Sequence, residues 1–226
     1  MKLNHYSLLV ATQVTCLGVV FDCELTFSKH VTFVVRRCFY HLRQIRAVRK
    51  SLTTESVKTL IHAVIASQLD NCNSVFYQLS AAKLQALQSV LNSGARLIMR
   101  KRKNDHSTSL LLDDLHWLPI RQRILYKLYT IVYKCIHGAA PSYLTNLCVP
   151  VATNTSRRYL RSATHGDLLV PMTRTMTYGS FAVSGPTVWN TLPSTLRVLA
   201  TTLGQFRSRL KTILFHLPTG HDYALS

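Results

Sequence analysis

The sequence predicts a mainly α fold with a small β component: a helical array followed by a mixed α+β C-terminal part. Three observations carry that expectation. Apolar residues recur at the three-and-four spacing of a helix in successive stretches across residues 28–135, and again across 202–215. A single short β-branched run, LGVVF at residues 17–21, reads as a buried strand. Beyond Pro150 the helical period is lost, and Gly, Pro and aromatic residues accumulate.

Taken in order, the strand at 17–21 is bounded by Gly18 and Asp22. Residues 28–50 then change to helical spacing, with Val31, Val35, Cys38, Leu42 and Ile45 forming one apolar stripe. Lys29, Arg36, Arg43 and Lys50 recur every seven residues. At about 100° per residue they lie opposite that stripe. Arg37 and Arg46 flank them, and no acidic residue occurs across residues 27–54. Thr53 or Thr54 suits the cap of a second helix carrying Val57, Leu60, Ile61, Val64 and Ile65. Residues 69–79 read as a polar turn followed by an apolar run. Ser80 caps a third helix with Leu84, Leu87, Val90, Leu91, Ala95 and Ile98 inward, ending in Arg100, Lys101, Arg102 and Lys103. Gly94 within it costs about 1 kcal/mol against Ala, so either close packing requires it or the helix is weak there. Pro119 opens a fourth helix that buries Ile120, Ile124, Leu128, Ile131, Val132 and Cys135, and Gly138 with Pro141 stops it. Residues 178–193 suggest turns and short strands. The final helix, at 202–215, turns Leu203, Phe206, Leu210, Ile213 and Leu214 inward.

With 226 residues and 47% apolar side chains, the chain can bury a substantial core. Its charge is lopsided: 27 Lys and Arg against 9 Asp and Glu, a formal net charge of +18. Such an excess repels itself unless a polyanion offsets it, and nucleic acid is the first candidate, an anionic membrane surface the second. The six cysteines include no CxxC pair, which argues against zinc. Cys38 and Cys135 fall on apolar helical faces, as reduced core cysteines do. Thr12, Gln13 and Thr15 interrupt the apolar stretch at 8–20, so it reads poorly as a secretory signal. No run is long enough to span a bilayer. The expected location is intracellular, in cytoplasm or nucleus, without a membrane partner.

Eight phrases in order carry a family resemblance: LGVVFDCELTFSKHV (17–31), LDNCNS (69–74), LQSVLNSGARLI (87–98), LHWLPIRQRILYKL (115–128), APSYL (140–144), LRS (160–162), SFAVSGPTVWNTLP (180–193) and FRSRLKTILF (206–215). Together they resemble the region that follows the polymerase palm in LINE-type, Jockey-like non-LTR retrotransposon reverse transcriptases. LHWLP and WNTLP are the most distinctive pair. Two departures from the family pattern stand out. Asn71 stands where an aromatic is usual, and Ser93-Gly94 replaces an alanine-rich pair. The resemblance implies a division into the end of a palm-like strand region (1–27), a thumb-like helical region that holds the primer–template backbone (28–148), a linker (149–156), and a C-terminal extension with short strands and a final helix (157–226).

Polymerase chemistry needs carboxylates that hold two metal ions. The adjacent pair Asp113-Asp114 follows the LGVVF strand, whereas the family's pair precedes it, so no residue here is assigned to catalysis or to metal. Magnesium belongs to the parent polymerase. The nucleic-acid-binding candidates are Lys29, Arg36, Arg37, Arg43, Arg46 and Lys50 on the first helix, and Arg100, Lys101, Arg102 and Lys103 after the third. A plain solvated face normally mixes both signs of charge, and these segments do not. His116, Trp117, Phe181 and Trp189 read as packing residues, and Tyr126, Tyr129 and Tyr133 as a partly buried face. The expected function is that of a reverse transcriptase fragment without its catalytic palm, binding RNA or an RNA–DNA hybrid through backbone phosphates beside the parent's palm and fingers. The alternative is a host-derived or relic interaction protein with no enzymatic activity and no dedicated nucleic-acid role.

Overall fold

A computed structural model of the protein describes residues 2–3, 6–7, 12–101, 110–153, 165–172, 180–198 and 202–217. Two small antiparallel hairpins come first: β1 (Lys2–Leu3) with β2 (Tyr6–Ser7), and β3 (Gln13–Cys16) with β4 (Val19–Asp22). The expected strand at 17–21 is therefore corrected. Leu17 and Gly18 are its turn, with φ of 48° and 80°. That pair of positive φ values is the two-residue connection whose twist matches the flanking strands. The partner strand β3 lies in the stretch that resembled an interrupted leader, where Gln13 and Thr15 supply the alternation.

Helix α1 (Ser28–Val48) buries Val31, Cys38, Leu42 and Ile45 as the stripe predicts, together with His30 and Val34. Val34 is buried and Val35 only partly so, a shift of one position on the same face. Phe27 precedes the helix at φ 56° and joins an edge-to-face aromatic chain, 5.6 Å from Phe21 and 5.4 Å from Phe76. The backbone N–H of Val20 donates to His30 Nδ1 at 3.3 Å, fastening β4 to α1. After α1 a single 3-10 turn, Arg49–Ser51, leads to α2 (Thr54–Ile61). Thr53 caps α2, accepting from the Ser56 N–H at 3.1 Å. The helical path continues through a π turn, His62–Ala66, into the short α3 (Ser67–Asp70). Val57, Ile61 and Ile65 are buried, whereas Leu60 lies on the exposed side.

Helix α4 (Ala81–Met99) buries Leu87, Val90, Leu91, Gly94, Ala95, Leu97 and Ile98. Ser80 occupies the N-cap but its hydroxyl makes no capping bond, so that expectation holds for position alone. Of the two alternatives for Gly94, close packing is the one found. A Cβ there would lie 3.1 Å from Ile61 Cγ2 and 4.0 Å from Leu42 Cδ2, where α1, α2 and α4 meet.

Helix α5 (Ile120–Ile136) is the central post. It is followed by α6 (Ser142–Thr145), α7 (Phe181–Asn190), α8 (Ser194–Val198) and α9 (Leu203–His216). Helices α7 and α9 both pack on α5. Tyr133 of α5 stacks on Phe206 of α9 at 4.3 Å. Thr202 and Gln205 form a reciprocal capping box at the start of α9.

In the C-terminal part the described residues form helices and a non-helical stretch, 165–172, that pairs with residues 149–151 through one isolated bridge between Pro150 and Leu168. Residues 181–190 were expected as turns and strands because Gly185 and Pro186 disfavour helix. Tertiary contact outweighs that propensity. Gly185 sits so close to Phe181 and Val132 that a Cβ would meet them at 3.1 and 3.3 Å, and Val188 and Trp189 are buried. Residues 160–162 and 173–179 lie outside the described residues. A single buried cluster extends from Val19 to Leu214, so the chain is mainly α with a small β component.

Candidate nucleic-acid interface

The C-terminal turns of α1 and α4 border a groove of about 770 Å³. Phe39, Leu42 and Leu97 supply its apolar wall. From α1 and the turn after it come Arg43, Arg46, Arg49 and Lys50. From α4 and its end come Arg96, Arg100 and Lys101. No carboxylate lines it among the described residues. Each helix C-terminus carries the equivalent of roughly half a negative charge. Two of them offset about one positive charge, fewer than the five cations Arg43, Arg46, Lys50, Arg100 and Lys101 that line the groove.

Arg49 sets the geometry. It is buried, and its guanidinium donates to three backbone carbonyls: Leu97 at 3.0 Å, Ile98 at 2.9 Å and Leu52 at 3.0 Å. The last carbonyls of any helix lack intrahelical partners. Arg49 satisfies two of them in α4 from the end of α1, so one buried cation ties together both sides of the groove. Helix α4 then closes at Arg100, which adopts the left-handed conformation with φ 54°, and the N–H of Lys101 returns to Arg96 O at 3.0 Å. Arg100 and Lys101 are exposed at the groove as a result.

The ten predicted residues separate into three groups. Arg43 and Arg46 of α1 and Lys50 of the turn after it meet Arg100 and Lys101 in the groove. Lys29, Arg36 and Arg37 are exposed but do not line it, and Lys29 Nζ donates to Gln13 Oε1 at 2.9 Å. Arg102 and Lys103 lie outside the described residues. Helical geometry accounts for the division of α1. A seven-residue repeat drifts about 20° per heptad on a straight helix. Arg43 thereby rotates toward the flank of Arg46, Lys50 follows in the turn beyond the helix, Lys29 and Arg36 stay outward and Arg37 sits on the far flank. The sequence reading missed Arg49 and Arg96. For Arg49 a signal existed: it continues the stripe of Leu42 and Ile45, where an arginine must find buried acceptors.

No protein-family model, curated protein or solved structure matches this chain. The distinctive sequence phrases nevertheless make defined contacts within the fold. Asp70, from LDNCNS, pairs with Arg123, from LHWLPIRQR, at 2.9 Å. Arg123 also donates to Leu118 O at 2.7 Å and lies 5.9 Å from the centre of the Trp117 ring. Gln88, from LQSVLNSGARLI, accepts the Ile120 N–H at 2.8 Å, joining α4 to the start of α5. In the WNTLP phrase, Trp189 Nε1 donates to Gly166 O at 3.0 Å. The Asn190 amide both accepts from Leu168 N and donates to Leu168 O. Arg197 forms an ion pair with Asp167 beside them.

The residues read as packing behave accordingly, with one exception. Trp117, Trp189, Tyr129 and Tyr133 are buried, but His116 is exposed, at φ 51°, with Nδ1 3.1 Å from Leu112 O. Asp113 and Asp114 are exposed in a π turn, Leu110–Asp114, on the approach to Leu115. Among the described residues, no three His, Cys, Asp or Glu side chains are grouped to hold a metal ion, and no helix is long and apolar enough to cross a membrane. The buried thiols are raised: burial pushes Cys38 up to about 11, and burial with the neighbouring Cys135 pushes Cys148 up to about 12.

Proposed function

We propose that this chain is the post-palm region of a LINE-type reverse transcriptase. Its work is to hold RNA or an RNA–DNA hybrid by the backbone phosphates, in the groove between α1 and α4. The observation that carries this reading is the convergence of Arg43, Arg46, Lys50, Arg100 and Lys101, from two segments about 50 residues apart, on one groove whose described lining residues include no carboxylate. Arg43, Arg46, Lys50, Arg100 and Lys101 would contact phosphates. Arg49, engaged with backbone carbonyls, would hold the two helices at the spacing the contact needs. Phosphate contacts fix position and carry no base information, so binding is expected to be independent of sequence. The polymerase step itself belongs to the parent's palm, whose metal-holding carboxylates have no counterpart in the motifs of this chain.

Fluorescence anisotropy with labelled RNA–DNA hybrids tests this. Replacing Arg43, Arg46 and Lys50 by Gln keeps good helix formers and leaves the apolar stripe intact. The triple variant should lose affinity to nearly the same degree for hybrids of unrelated sequence. A loss confined to one sequence, or no loss with the fold intact by circular dichroism, would contradict the proposal.

A further inference from the structure

We propose that the outer face of α1 is a second binding surface, separate from the groove, whose ligand is single-stranded nucleic acid. On this surface bases stack on Phe33 and Tyr40, and phosphates meet Arg36 and Arg37. The observation behind it is a pair of half-exposed aromatic side chains, Phe33 and Tyr40, the latter edge-to-face with His41 at 5.5 Å. Phe33 and Tyr40 are each 52% exposed on a helix whose other face is well buried. They are seven residues apart, so they share one line along the helix, about 10.5 Å from each other along its axis. That is close to three stacking steps of about 3.4 Å.

Arg36 and Arg37 lie between them in sequence, are exposed, and are in no ion pair among the described residues. Helix α1 contains no acidic residue. The surface therefore combines unpaired cations with exposed rings, the two components of single-strand recognition. A duplex engages such rings poorly, because its bases already stack on one another. An anionic membrane would favour a broad aliphatic face, whereas residues three and four positions from these rings, Arg36, Arg37 and Gln44, are polar. The surface does not depend on the groove, and either can fail without the other.

The test uses the intact chain and two probes, a short labelled oligo(U) RNA and a labelled RNA–DNA hybrid. The double variant Phe33→Leu, Tyr40→Leu keeps apolar bulk and helix propensity but removes both flat rings. Stacking contributes enough that each ring should account for about fivefold or more in affinity for the single strand. The hybrid should be held as tightly as by the wild type. Phe33→Tyr with Tyr40→Phe, which exchanges the rings, should restore single-strand binding. Equal losses on both probes, or no loss on either with an intact fold, would overturn the proposal. So would rings that prove necessary for binding phosphatidylserine vesicles, or for self-association in sedimentation, while oligo(U) affinity is unchanged.

Discussion

His30 is held neutral by its surroundings. The ring is buried, and the Val20 N–H requires an unprotonated Nδ1 as acceptor. Burial holds its pKa below the ordinary histidine value of 6.5. In the unfolded chain the imidazole takes up a proton near 6.5, so below that pH the unfolded state binds more protons than the folded one. The stability tied to this group is complete above about pH 6.5 and is lost as pH falls through the lowered folded value. Thermal melting points should therefore decline from about pH 7.5 to about pH 5, and His30→Gln should flatten part of that decline. A variant whose pH dependence equals the wild type's would remove His30 from this role. At the alkaline end Cys38 works with the opposite dependence. Its stabilisation is complete below about 9, the value of an unburied thiol, and lost as pH rises through about 11. Neither burial pattern nor charge count reveals Arg49. The stripe spacing marks its position, but only the carbonyls at the end of α4 explain why a cation is stable there. Truncating it to Met keeps the stem and deletes its three bonds to backbone carbonyls and a fourth to Thr54 Oγ1. A loss of about 1–3 kcal/mol in urea unfolding is expected. A change below about 0.5 kcal/mol would show that the contact is incidental.

Helix α4 shows how elements hold one another. Propensity alone says that Gly94→Ala should gain about 1 kcal/mol. The 3.1 Å approach to the fully buried Ile61 says that the gain will not appear, since Ile61 has no free volume into which to move. Denaturant unfolding of Gly94→Ala decides between them: an unchanged or lowered midpoint is expected, and a rise of the full propensity amount would mean that the three-helix junction is looser than described. The amphipathic helices were readable because their apolar positions repeat on one face. That holds for α1, α2, α4, α5 and α9, in which the residues expected inward are mostly buried. What periodicity could not give was α7. Its helix exists because Val188 and Trp189 find α5, and no local signal around Gly185 and Pro186 announces a distant partner. The hairpin of β3 and β4 was half legible for a similar reason. The β-branched residues after Gly18 mark a strand, whereas Gln13–Cys16 becomes one only through pairing.

On the scale of the whole molecule, a formal charge of +18 had to be distributed somewhere, and the fold gathers much of it where two helix ends meet. The six predicted cations of α1 and the turn after it are divided between a groove and an outer surface, and only the position of α4 reveals which of them line the groove. That division gives the most direct test. Each phosphate neutralised adds about −0.9 to the log–log slope of affinity against salt for a duplex. Two triple variants remove the same charge from α1 and the turn that follows it: Arg43→Gln, Arg46→Gln, Lys50→Gln from the groove, and Lys29→Gln, Arg36→Gln, Arg37→Gln from the outer face. Salt titration of binding to an RNA–DNA hybrid should show the groove variant flattened by roughly 2–3 units and the outer-face variant with nearly the wild-type slope. Equal flattening by both variants, or a wild-type slope in the groove variant with its fold intact, would contradict the groove as the place where the backbone is held.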